Sequence, residues 1–151
     1  MINLIEKALA KALSPLIQPL KVSLKAPGSL VIDGTLISTW NWRSLGKMNF
    51  SGKHKRAGFN HQVICTLEGK LLAITDPLPG ARHDGHAFKH HGLDQLLDSS
   101  TLADKGYIEL GLATPRRRSK ACGTPEGVKV VNRFINSRRA VVERVIAQVK
   151  T

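Results

Sequence analysis

The sequence predicts an α/β fold, a mixed sheet flanked by helices, on three observations. Two short β-branched or apolar runs each lead into an aspartate, Asp33 and Asp104. Two further apolar runs around residues 62–67 and 71–75 are joined by Glu68–Gly69, the pattern of a hairpin. The last twenty or so residues carry apolar side chains at helical period.

Taken in order, Ile2, Ile5, Leu9, Ala12 and Leu13 recur at helical spacing and predict a helix over residues 2–13. Pro15 and Pro19 end it, and the stretch to Pro27–Gly28 reads as a linker. Leu30, Val31 and Ile32 predict a buried strand ending at Asp33–Gly34, with residues 35–42 as its continuation. A basic, Gly-containing stretch over 46–58 reads as loop or hairpin, and the 62–75 hairpin follows. Pro77, Pro79 and Gly80 break the strand. Residues 86–98 predict a helix through Phe88, Leu93, Leu96 and Leu97, and 101–103 a short strand ending at Asp104. Residues 114–127 are a basic loop, and 130–150 form the clearest helix, with Ile135, Val142, Ile146 and Val149 as its stripe.

Twenty-three Lys and Arg against eleven Asp and Glu give a net charge of +12, a field that attracts polyanions, with nucleic acid the usual partner. Cys65 and Cys122 show no metal-binding spacing and suit a reducing cytosol as inert thiols. No secretory signal is visible, and no run of eighteen apolar residues exists to span a membrane.

Three acids stand out by position. Strand ends in open α/β sheets collect ligand sites, and two carboxylates meeting there repel each other unless a cation or proton intervenes. Hard divalent ions such as Mg²⁺ take oxygen ligands and keep waters for phosphate chemistry. On the last helix Arg139, Glu143 and Lys150 fall within roughly 40° of arc, a polar strip bordering the apolar stripe, so Glu143 is expected at the rim where helix meets sheet. Plainer readings stand beside these. Asp33 and Asp104 each precede a turn-like glycine, and Glu143 four residues after Arg139 has the spacing of a surface ion pair.

Five motifs taken together resemble a known family: VIDGT (residues 31–35), SGKHKRAGFNHQV (51–63), PGARHD (79–84), LADKGY (102–107) and RRAVVERVIAQVK (138–150). In this order and spacing they resemble the DDE superfamily endonuclease domain of Harbinger-like and related bacterial insertion-sequence transposases, over residues 29–151. The resemblance implies a ribonuclease-H-like fold. It also implies that Asp33, Asp104 and Glu143 bind catalytic divalent metal, Mg²⁺ or Mn²⁺ and two ions, for DNA strand cleavage and transfer. His83 and Asp84 match the family's HD pair and are expected near the site, with Asp84 capping the following helix as the alternative. Arg139 and Lys150 are expected beside it.

Lys53, His54, Lys55 and Arg56 form one basic cluster, and Arg116, Arg117, Arg118 and Lys120 another, both expected to track a DNA backbone. Trp40 and Trp42, at period two, are expected to pack on the sheet. The implied partner is double-stranded DNA, at transposon ends and target, with a homo-oligomer when active and a bacterial, nucleoid-associated cytoplasmic setting. Members of the family carry an upstream helix-turn-helix and a longer C-terminal segment. Residues 1–28 are therefore expected to be a remnant of an upstream DNA-binding region, and residues 29–151 a C-terminally truncated catalytic domain. Two other readings remain: a catalytically silent DNA-binding remnant, and a basic RNA-binding structural protein. The scarcity of stacking aromatics (5%) argues against the latter.

Overall fold

A computed structural model describes residues 2–16, 18–39, 46–117 and 124–151. Trp40, Trp42, Arg118, Lys120 and Cys122 lie outside the described residues. The elements in order are α1 (Ile2–Leu13), α2 (Leu20–Ser23), β1 (Leu30–Ser38), β2 (Phe50–Ser51), β3 (Arg56–Thr66), β4 (Leu71–Ile74), β5 (Leu78–Pro79), α3 (Asp84–His90) and α4 (Glu126–Lys150).

Strand β3 is the hub of a five-stranded sheet. All of β1 pairs antiparallel with it, from Leu30↔Thr66 to Ser38↔Gly58, and β4, β5 and β2 pair with its other edge. On its free edge β1 meets the 101–103 segment in parallel, through the bridge Val31↔Leu102 and the bonds Leu102 N–H to Leu30 O (2.8 Å) and Ile32 N–H to Leu102 O (3.0 Å). The sheet is thus mixed, as expected, and helices cover it.

Strand alternation sorts the core into two layers. Leu30, Ile32, Ile64 and Ala103 face one side and pack with Phe88 and Leu93, around α3. Val31, Val63, Cys65 and Leu102 face the other and pack under Val141, Val142 and Val145 of α4. Burial pushes the Cys65 thiol up to about 11, which makes it inert at neutral pH.

Several boundaries differ from the sequence reading for local reasons. Asp33 lies inside β1 rather than at its end, because the strand runs on to Ser38. The helix expected over 86–98 runs only from Asp84 to His90, since Gly92 adopts a left-handed conformation (φ 65) that ends it. A short 3-10 turn at Leu93–Gln95 follows. The 101–103 strand is reduced to isolated bridges at Leu102. The stretch read as linker contains α2, and Leu24 just after it is buried in the core. By contrast Leu4, Ile5, Leu9 and Leu13 of α1 are all more than half exposed, at 78%, 57%, 55% and 51%.

Candidate metal and nucleic-acid site

Face and register decide which acids meet. Val31 faces α4, so Asp33, two residues on, projects to the same side. Leu102 also faces α4, so Asp104 does likewise. With Val31 and Leu102 bridged in parallel, the residues two further along each strand are Asp33 and Asp104. The pairing stops at Leu102, and the Asp104 charge is felt at Asp33, so the two aspartates are neighbours on the side of the sheet that α4 covers.

The electrostatics agree with this placement. Burial pushes the Asp33 carboxyl up from 3.8 to about 6; Arg139 opposes the rise, and the charges of Asp104 and then Asp84 add to it. Asp33 Oδ1 accepts from the Gly34 amide (2.9 Å), and Oδ2 pairs with Arg139 Nη2 at 3.3 Å. Asp104 precedes a 3-10 turn at Lys105–Tyr107, and its Oδ1 accepts from the Gly106 amide (2.6 Å).

Asp84 arrives from the other face. Gly34 points toward α3, and a side chain there would collide with Asp84 Oδ1, so glycine is what lets that carboxylate lie against β1. The capping alternative is not what Asp84 does. His83 occupies the N-cap position without a side-chain cap bond, and Asp84 is the first helical residue. Its Oδ1 accepts from Asn60 Nδ2 (2.9 Å), and Lys53 Nζ stands 3.7 Å from Oδ2.

Behind Asp84 runs a buried relay that the sequence reading missed. The Tyr107 hydroxyl donates to Gln62 Oε1, Gln62 Nε2 donates to Asn60 Oδ1 (2.9 Å), and Asn60 donates to Asp84 and to the Arg82 carbonyl (3.1 Å). Tyr107, Gln62 and Asn60 each donate in the direction of Asp84, so the relay terminates on an acceptor oxygen. Tyr107 itself is held well above the ordinary phenol range by burial and by the charges of Asp84, Asp33 and Asp104. The available signal was the polar pair Asn60 and Gln62, at period two within an otherwise buried strand.

Glu143 is not gathered with the aspartates. It is exposed on α4, one turn beyond Arg139, and makes no hydrogen bond or ion pair among the described residues. At the rim, Arg139 instead reaches Asp33. Lys150 is also exposed, and its charge is felt at His54, whose imidazole pKa is lowered first by burial, then by Lys53 and Lys150. Among the described residues no group of three or more His, Cys, Asp or Glu is close enough to hold a metal ion. The donor chemistry at Asp33 and Asp104 nevertheless suits a hard cation: the Asp104 charge disfavours ionisation of Asp33, and Mg²⁺ is commonly bound through only one or two protein carboxylates.

The basic groups border this site. An open cavity of about 430 Å³ is lined by Lys53, His83, Asp84, Asp104, Lys105 and Arg117. A smaller one of about 210 Å³ is lined by Gly34, Lys53, His54 and Asp84 among others. A larger cavity, about 620 Å³, lies against β4 and α2 and touches none of these acids. Lys55 and Arg56 are exposed in the turn leading into β3, and the Arg116 backbone is clamped to α4 by Asn132, through bonds of 2.9 and 3.0 Å.

Comparison with known proteins decides the family. The model of the DDE superfamily endonuclease family matches residues 32–151. The chain belongs to this family. A protein of Streptomyces albus G, named as a candidate transposase for insertion sequence element IS112, is 33% identical to this DDE endonuclease chain over 125 residues. That match covers 81% of the chain and 47% of the relative, so the DDE chain spans about half the length of the relative it matches. No solved structure matches it. No helix among the described residues is long and apolar enough to cross a membrane.

Proposed function

We propose that this DDE endonuclease chain is the catalytic unit of a transposase, with a ribonuclease-H-like arrangement that cleaves and joins DNA strands using divalent metal. The observation that carries the reading is the neighbouring pair Asp33, in β1, and Asp104, just beyond the Leu102 bridge, on one face of the sheet. In this reading Asp33 and Asp104 hold Mg²⁺ or Mn²⁺, two ions in all, and Glu143, exposed on α4 apart from them, is the third ligand that the motif resemblance implies. Bound there, the metal would activate a nucleophile and neutralise charge on the phosphodiester.

The chain's own groups do the rest. Lys53, His54, Lys55 and Arg56, together with the basic run Arg116, Arg117, Arg118 and Lys120, attract the DNA backbone and orient it across the acids. His83 and Lys150 border the same surface. Strand cleavage by water leaves a 3′-hydroxyl, and that hydroxyl attacks a target phosphodiester in line, exchanging one P–O bond for another. Transposon ends and target are duplex DNA, the active form is a homo-oligomer, and the setting is the bacterial nucleoid.

The test is nicking of supercoiled plasmid. Mg²⁺- or Mn²⁺-dependent nicking that disappears in Asp104→Ala is expected. Metal-independent nicking, or full activity in that variant, counts decisively against the reading. A second reading, DNA binding without cleavage, is favoured by the exposure of Glu143. Salt-sensitive binding with no scission in either metal would select it.

A further inference from the structure

Both oxygens of Asp33 are engaged. Oδ1 is held by the amide of Gly34, a backbone group fixed in β1, and Oδ2 by Arg139 Nη2 at 3.3 Å. The two side chains are largely covered, Arg139 being 12% and Asp33 15% exposed. Each carboxylate oxygen keeps a second acceptor site, but a ligand that takes Oδ2 meets Arg139, and of the two partners only Arg139 can move. It is a long side chain anchored on a helix, whereas the amide belongs to a fully paired strand.

Arg139 is also incompletely satisfied. A guanidinium has five N–H donors. Here it makes one hydrogen bond, and its Nε is buried without a partner. A covered ion pair that leaves a donor unsatisfied forfeits much of its attraction to desolvation. It is held loosely for so buried a pair. Asp104, the neighbour that a cation would bridge to, lies on the same α4-facing side of the sheet.

We infer that Arg139 is a resident counter-cation of Asp33, and that a divalent ion loads this site by displacing it from Oδ2. Arg139 and the ion compete for one oxygen, so the arginine sets the cation affinity of the site. This rests on the nuclease reading above. The exchange breaks one N–H···O contact and makes one metal–oxygen contact, with no bond chemistry involved.

The test is Mn²⁺ binding to the whole chain, followed by the electron paramagnetic resonance signal of free Mn²⁺, in wild type, Arg139→Gln and Asp33→Asn. Arg139→Gln is expected to bind Mn²⁺ about 10-fold more tightly, within the usual span of coupling between linked sites. Asp33→Asn is expected to lose that binding. Unchanged or weaker binding in Arg139→Gln, with Asp33→Asn still abolishing it, overturns the competition and leaves the nuclease reading standing. No Mn²⁺ binding in any folded form overturns both. The native chain gives a check that needs no variant to fold: the ¹⁵N side-chain resonance of Arg139 should shift as Mg²⁺ is added. Saturation without any shift of that resonance also overturns the competition.

Discussion

Asp33 owes its unusual proton affinity to a contest between burial and a single cation. Removal from water raises its carboxyl to about 6 despite Arg139, with Asp104 and Asp84 adding to the rise. The folded chain thus holds this proton more tightly than the unfolded chain, whose value is near 3.8. Protonated Asp33 stabilises the fold fully below about pH 3.8, and the benefit is lost as pH rises through about 6. At 1.36 kcal/mol per unit the change amounts to ~3 kcal/mol at most. Denaturant unfolding of wild type and Asp33→Asn between pH 4 and 7 should therefore show the wild type losing ground as pH rises. A pH-independent difference between the two would refute this account. Around the same residue, glycine at position 34 is required by contact rather than by backbone conformation, because Asp84 fills the space a side chain would need.

At the level of elements, α4 explains why one acid was misjudged in exposure. The stripe read from Ile135, Val142, Ile146 and Val149 centres closer to Glu143 than the face actually buried, which is Ile135, Val141, Val142 and Val145. Val141 and Val145 turn that face by roughly 45° away from Glu143, carrying it off the rim into solvent. The two faces give a direct comparison. Val142→Ala, at a fully buried position, is expected to cost about 2 kcal/mol, and Glu143→Ala less than about 0.5 kcal/mol. Chemical denaturation measures both, and a Glu143 cost equal to that of Val142 would show that the helix packs by another face. The start of β1, the second half of β3 and β4 were legible because short apolar runs and the Glu68–Gly69 turn are local signals, whereas the first half of β3, from Arg56, fell partly within the basic stretch read as loop or hairpin. The meeting of Asp33 with Asp104 was legible only as a motif, since parallel pairing joins segments some seventy residues apart and leaves no mark in either. The Tyr107–Gln62–Asn60 relay was hidden for a different reason: polar residues at period two in a strand read as a solvent face, and here that face is inside.

Across the whole molecule, a net charge of +12 is distributed so that basic side chains line the same openings as the acids. Duplex DNA binding should then weaken steeply with salt, by at least roughly 10-fold between 50 and 200 mM, in a log–log plot that is linear. Fluorescence anisotropy with a labelled duplex checks this, and affinity insensitive to salt would remove the basic borders from the binding surface. The scaffold beneath the two aspartates is mechanically lopsided. Asp33 is built into a strand laddered along its whole length to β3, while Asp104 follows a segment tethered by single bridges at Leu102 to Val31 and to Ala113. On the proposed metal reading, one carboxylate would be a fixed jaw and the other the more yielding one. Exchanging a small ion for one a few tenths of an ångström larger should move the Asp104 turn and leave β1 where it is.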